Sequence, residues 1–336
     1  MWKGLGICAA LTLGGFGIAQ LPVIQSSGVS PLVFALLLGL VVGNLPFTRA
    51  GKSATAGFQF ATRWLLRSGI VLFGLSLTLQ QIMALGPNVI LLDMLVISAV
   101  LVTGYWIGTR WLQLDRETAL LTSAGSAICG AAAVLATEAT IRSRPAATSM
   151  AVATVVLFGS LAMLAYPLLY PLIGWEEGLY GVYIGATVHE VAQVVAAGDA
   201  VGPQALANAV IVKLIRVMLL VPFLLIVGQW WLRRADLPQG QTPNQTGAAQ
   251  RLIIPWFAVG FLGMVVFNSV VTLPESVHQT LVMTGQIALA MAMAALGYET
   301  RLEKLRALGL KPFLLALILF GLLLGGGLLV TPLLMG

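Results

Sequence analysis

The chain has 336 residues, 59% of them hydrophobic and only 9% charged, with a formal net charge of +6. Charge-poor runs of about 20 residues, each able to cross ~30 Å of hydrocarbon, recur from end to end, so the chain reads as a polytopic helical membrane protein. The alternating segments of a membrane β-barrel are absent, the basic residues sit in short loops rather than in a nucleic-acid patch, and Cys8 and Cys129 lie in apolar stretches where no disulfide is expected.

Lys3 followed by an apolar run from Leu5 to Ala19 resembles a secretion signal. No convincing small-residue cleavage site precedes a polar domain, so residues 1–29 are assigned to an N-terminal helix. Further apolar segments fall near 30–44, 64–82, 88–110, 118–141, 147–172, 180–198, 203–233, 252–272, 276–298 and 310–334, about 9–11 membrane segments in all. Residues 235–250, rich in Gln, Pro, Gly, Thr and Asn and without hydrophobic periodicity, form a cytoplasmic linker.

Two segments repeat. Leu38-Gly39-Leu40-Val41-Val42-Gly43-Asn44 and Leu262-Gly263-Met264-Val265-Val266-Phe267-Asn268 are identical at five of seven positions, 224 residues apart. Downstream, Gly74, Leu79 and Ala84-Leu85-Gly86 recur as Gly297, Leu302 and Ala307-Leu308-Gly309 at a spacing of 223. A weaker echo relates Gly125, Ala132, Val134 and Ala136 to Gly185, Ala192, Val194 and Ala196 at a spacing of 60. Residues 30–110 and 252–334 are therefore read as scaffold repeats A and B, and 118–172 and 180–233 as broken-helix units A and B. Repeats of this kind in an apolar chain point to a secondary transporter.

Lys and Arg in short loops set the orientation. Lys3, the group Arg49, Lys52 and Arg63, the pair Arg110 and Arg116, the group Arg233, Arg234 and Arg251, and the cluster Arg301, Lys304, Arg306 and Lys311 mark one face as cytoplasmic, the N-terminus included. If 118–141 crossed fully, Arg142 and Arg144 would fall outside and Glu176 and Glu177 inside. The conflict disappears if 118–141 and 180–198 each enter and leave on one side, which makes both repeats inverted about one axis in the membrane plane. Two broken helices that do cross are the alternative.

The residues that could carry chemistry lie at those interruptions. Ser123, Ser126, Cys129 and Gly130 in the first, with Thr187 in the second, are small or polar residues that would let a solute approach backbone N–H groups at exposed helix N-termini. His189, Glu190 and Gln193 put ionisable and amide groups inside an apolar stretch, suited to a coupling proton or cation and to substrate contact. His189-Glu-Val-Ala-Gln193 misses the zinc motif HExxH by its last residue, so no metal is assigned. Lys213 and Arg216 share one face of a helix deep in the membrane and would supply positive potential to an anion. Arg67, Asp93 and Glu138 look like isolated interface or salt-bridge residues, and Asn44 and Asn268 like caps of equivalent helix ends.

The stretch Ser126-Ala-Ile-Cys-Gly130, the run Gly185-Ala-Thr-Val-His-Glu-Val-Ala-Gln-Val-Val-Ala-Ala-Gly198, and Val212-Lys-Leu-Ile-Arg216 with Pro222 resemble the YeiH-like family of bacterial inner-membrane proteins, named for sulfate export. The likeness covers nearly the whole chain. It implies distant similarity to bile acid, arsenite and riboflavin type transporters, with inverted repeats and discontinuous helices that meet in mid-membrane. The expected function is secondary transport of a small anion, sulfate or a related sulfonate or organic anion, by alternating access coupled to H+ or Na+. No cofactor, enzyme chemistry or nucleic-acid partner is expected, the lipid bilayer is the surrounding partner, and a homodimer is left open. A membrane-embedded sensor or enzyme is the rival class; the chain offers neither a sizeable output domain nor a nucleophile or metal set for it.

Overall fold

The computed structural model describes residues 1–21, 31–45, 52–234, 256–299 and 309–336. Every regular element among them is helical, and six helices are long and apolar enough to cross a membrane. The linker 235–250 and the echo at 302 and 307–308 lie outside the described residues.

The first third of the chain forms α1 (Trp2–Ala19), α2 (Pro31–Asn44), α3 (Lys52–Phe60), α4 (Leu66–Phe73), α5 (Leu79–Ala84) and α6 (Asn88–Trp106). A π turn at Ala61–Leu65 joins α3 and α4 into one rod. This corrects the expected loop around Arg63: the helix starts twelve residues before 64, at Lys52, and Arg63 lies inside it. Gln59, Thr62 and Arg63 lower the local hydropathy and hide an amphipathic helix from a search for apolar runs. After α4 the chain breaks at Leu77, which is extended. The freed backbone groups are met by the end of α14 (Trp256–Val270), where Asn268 Nδ2 donates to Leu77 O at 3.0 Å and Ser269 Oγ accepts from Leu79 N–H at 2.8 Å.

The scaffold closes with α15 (Glu275–Glu299) and α16 (Leu310–Met335). In lipid no hydrophobic force drives helix against helix, so close backbone packing through small residues must hold the frame. A Cβ on Gly297 would run into Leu36 O and lie 2.8 Å from Leu40 N, and one on Gly74 would lie 2.6 Å from Phe261 O and 3.0 Å from the Met264 Cβ. Leu40 corresponds to Met264 at the repeat spacing, and Phe261 lies one residue past the counterpart of Leu36, so a similar close approach is made twice with the partners exchanged. Helix α2 packs on α15 while α14 packs on α4, and α6 packs on α16. A pseudo-two-fold axis relating 30–110 to 252–334 requires this exchange.

The centre is built from α7 (Arg116–Ala127), α8 (Ala131–Ile141), α9 (Pro145–Ile173), α10 (Glu177–Thr187), α11 (Val191–Val201), α12 (Pro203–Met218) and α13 (Leu220–Arg234). Both expected interruptions are present, between α7 and α8 and between α10 and α11. The single segment expected at 203–233 is interrupted at Leu219, because Pro222 cannot donate to the carbonyl four residues back and its ring crowds it.

Each broken pair folds back on itself. Gly125 in α7 packs against the Val134 side chain of α8. Arg144, past the end of α8, donates from its backbone N–H and Nε to Glu117 Oε2 at 3.0 and 2.9 Å and pairs with Asp115 at 2.8 Å, both at the start of α7. In the second pair, Glu177 Oε1 at the start of α10 accepts from Gln204 N–H at 2.6 Å and Ala205 N–H at 3.0 Å, beyond the end of α11. Glu117 and Glu177 therefore do the same work sixty residues apart, each closing the mouth of a hairpin by capping the proline-led helix that follows. Helix α9 has 29 residues, about 43 Å at 1.5 Å per residue, and carries the chain from one mouth to the other. The hairpins thus enter from opposite faces, the re-entrant arrangement that the charge pattern favours.

Asp115 caps α7, accepting from Thr118 N–H at 2.9 Å and Thr118 Oγ1 at 2.8 Å. Partial burial pushes this carboxyl up, but the Thr118 bonds and the Arg144 charge outweigh it and hold the group below the usual aspartate range. The stabilisation is present above the ordinary aspartate pKa of 3.8 and is lost as the pH falls through the lower folded value. Asp115→Asn should therefore lower the thermal midpoint slightly at neutral pH and leave it unchanged in strong acid. Thermal unfolding at both pH values checks this, and an equal loss at both would rule out a titrating cap.

Candidate functional site

The two interruptions meet in the middle of the molecule, Ile128-Cys129-Gly130 against Val188-His189-Glu190, and α12 carries the side chains that tie them. Lys213 Nζ donates to Ile128 O at 2.9 Å and Val188 O at 2.5 Å. Arg216 Nε donates to Ala127 O at 2.7 Å, its Nη2 donates to the same carbonyl, and its Nη1 donates to Ala186 O. Both side chains are fully buried. These carbonyls are the C-terminal ends of α7 and α10, each carrying about −0.5 charge from its helix dipole. From its position in the chain this basic pair is expected to face a solute; instead its donors meet backbone that would otherwise be orphaned inside the membrane.

The other side of the breaks exposes helix N-termini, and one is occupied from within. Glu190 Oε1 accepts the Ala131 N–H at 3.1 Å, at the first residue of α8. Gln193 Oε1 in turn accepts the Glu190 N–H at 3.0 Å, holding the glutamate backbone. A carboxylate is the natural occupant of a helix N-terminus. Gly130 makes the approach possible: its φ of +69° belongs to glycine, and a Cβ there would run into the Glu190 side chain. Gly130→Ala should cost about 1–3 kcal/mol in backbone strain and break the Ala131–Glu190 contact, lowering the thermal midpoint. An unchanged midpoint would count against the contact as a structural tie.

Asp93 on α6 is the remaining charge. It is fully buried, neither of its oxygens has a hydrogen-bond partner among the described residues, and its charge reaches both Arg216 and Lys213. Of the two expected roles, interface or salt bridge, it takes the buried interface position and makes no salt bridge among the described residues. When ionised, Lys213, Arg216, Glu190 and Asp93 carry +2 and −2, so the meeting point is neutral on its own. An anion arriving there unaccompanied would leave a net charge in a low-dielectric site, which is costly.

A cavity of about 570 Å³ opens beside the breaks, between the hairpin tips and the scaffold. Glu190 and Cys129 line it from the hairpins, and Thr62, Arg63 and Arg67 from the α3–α4 rod. The rest of the wall is apolar, chiefly Leu66, Leu135, Val191, Trp256 and Phe257, and the Arg67 guanidinium lies over the Phe257 ring at 5.7 Å. Thr62 and Arg63 sit on the π turn, a local rewinding that often marks functional positions.

Of the residues proposed from sequence, Cys129 and Glu190 line this cavity. Lys213 and Arg216 tie the breaks together behind it, where Gly130 and His189 lie within the two breaks. Ser123 and Thr187 turn their hydroxyls back onto their own helices, to Ala119 O at 2.6 Å and Tyr183 O at 2.5 Å. Ser126 Oγ, His189 Nδ1 and Gln193 Nε2 are buried without a hydrogen-bond partner among the described residues. Gln193 presses on Gly159 of α9. Sequence reasoning missed Thr62, Arg63 and Arg67 as cavity residues. The available signal was the spacing of Arg63 and Arg67, one helical turn apart on one face.

The family profile described as Conserved hypothetical protein 698 matches residues 3–316. The chain is 43% identical over 326 residues to the UPF0324 inner membrane protein YeiH of Escherichia coli K12, covering 96% of this chain and 91% of that one. It is 45% identical over 332 residues to a UPF0324 membrane protein of Pseudomonas putida, covering 98% and 92%. No solved structure matches.

Proposed function

This chain belongs to the Conserved hypothetical protein 698 family, whose relatives are named as membrane proteins, and from that premise we propose that it is a secondary active transporter of a small anion. The observation that supports this reading best is Glu190 on the N-terminus of α8, in the wall of a cavity that also holds Arg63 and Arg67. A solute anion and the Glu190 carboxylate compete for the same backbone N–H. Protonation of Glu190 frees that N–H and keeps the meeting point neutral as the anion settles, so one proton accompanies one negative charge. Arg63 and Arg67 draw the anion into the cavity, and alternating access moves the paired hairpins against the scaffold. Following the distribution of Lys and Arg, the N-terminus is cytoplasmic.

Proteoliposomes containing a pH-sensitive dye test this directly. Imposing a gradient of a transported anion should acidify the lumen as the anion enters, and Arg63→Ala with Arg67→Ala should slow the change at least about tenfold, the effect of losing about 1.4 kcal/mol of attraction. Anion entry with no pH change would remove the proton from the scheme. Undiminished flux in the double variant would remove the arginines.

A further inference from the structure

The cavity points to a more specific solute than a small inorganic oxyanion, provided that it is the transport site as proposed above. We infer that the solute is an amphiphilic organic anion, with one sulfonate or carboxylate head and an aryl or medium-chain alkyl body. The volume of about 570 Å³ falls in the range of drug-sized ligand sites, about 300–1,000 Å³. A sulfate ion would fill a small part of it. Full stabilisation of sulfate also calls for donors on every side, whereas the charged donors here, Arg63 and Arg67, project from one rod only.

The rest of the wall offers Leu135 and Val191, which can reward only apolar surface, and the broad ring of Trp256. Phe257 stacks on the Arg67 guanidinium at 5.7 Å and so sits where the head meets the body. Arg63 and Arg67 can grip a planar carboxylate or a sulfonate alike, so the two heads share one chemistry. Ala132 has an exposed side chain in the wall of the same cavity, and a larger residue there would take up space available to the apolar body.

The test uses the full chain in lipid nanodiscs, with sulfate, methanesulfonate, hexanesulfonate and the neutral hexanol as probes, and empty nanodiscs as the partition background. Titration calorimetry should give affinity rising about three- to fourfold per added methylene, the increment expected for burying one such group. Hexanol should bind far more weakly than hexanesulfonate. Ala132→Phe should lose hexanesulfonate binding while keeping that of methanesulfonate. Sulfate binding as tightly as hexanesulfonate would overturn the inference and leave anion transport standing. Hexanol binding as tightly as hexanesulfonate would overturn it too, because the head would then contribute nothing. If no anion of the panel binds or is transported, the transport reading falls with it.

Discussion

Arg216→Ala is expected to cost roughly 2–6 kcal/mol in stability, at about 1–3 kcal/mol for each of the two buried carbonyls it strands. Those carbonyls, Ala127 O and Ala186 O, end α7 and α10 in the middle of the membrane, where water cannot replace the lost donors. From sequence alone, loss of Arg216 would be expected to abolish transport and spare the fold; the geometry reverses the order. Arg216→Lys keeps the charge without the planar fork, so it should recover part of the loss by holding one carbonyl. Thermal unfolding of wild type, Arg216→Ala and Arg216→Lys in nanodiscs checks this. An Arg216→Ala midpoint equal to wild type would show that the tips do not depend on the guanidinium.

Glu190→Gln is expected to separate proton coupling from binding. The neutral glutamine stands in for the protonated glutamate, with a hold on the Ala131 N–H weak enough to yield to an anion, but the group no longer takes up or releases a proton. A gradient of about one pH unit is worth about 1.4 kcal/mol per proton, or tenfold in accumulation. Wild type should show this stimulation and Glu190→Gln should not, while exchange of labelled for unlabelled anion persists. Proton-driven accumulation that survives in Glu190→Gln would assign coupling elsewhere, with Asp93 the next carboxyl to test.

Much of the architecture was legible because it is written twice. The segments repeated 224 residues apart were read as two scaffold halves, and the close approaches of Gly297 to Leu36 and of Gly74 to Phe261 show why glycine serves at both positions. The charges of Arg142, Arg144, Glu176 and Glu177 favoured re-entrant hairpins but left crossing broken helices open, and the structure adds the Glu117 and Glu177 caps that close the hairpin mouths. The cavity was less legible. Arg63 and Arg67 look like loop and interface residues in a linear reading, because a helix carrying Gln59, Thr62 and Arg63 lacks the uniform hydropathy by which membrane segments are found. The destination of Lys213 and Arg216 was also hidden. A buried cation announces that it needs a partner, and nothing in the chain tells a solute from a backbone carbonyl 85 or 89 residues away.

The positions sixty residues before Lys213 and Arg216 are Ala153 and Val156, so the hairpins are duplicated but their fastening is not. A single helix yokes both tips. Neither can swing aside as an independent gate without stranding buried carbonyls, so in the transport cycle proposed above the pair would travel together with α12. That reading favours an elevator stroke, in which the loaded centre slides along a fixed frame, over a mechanism of two doors that open in turn.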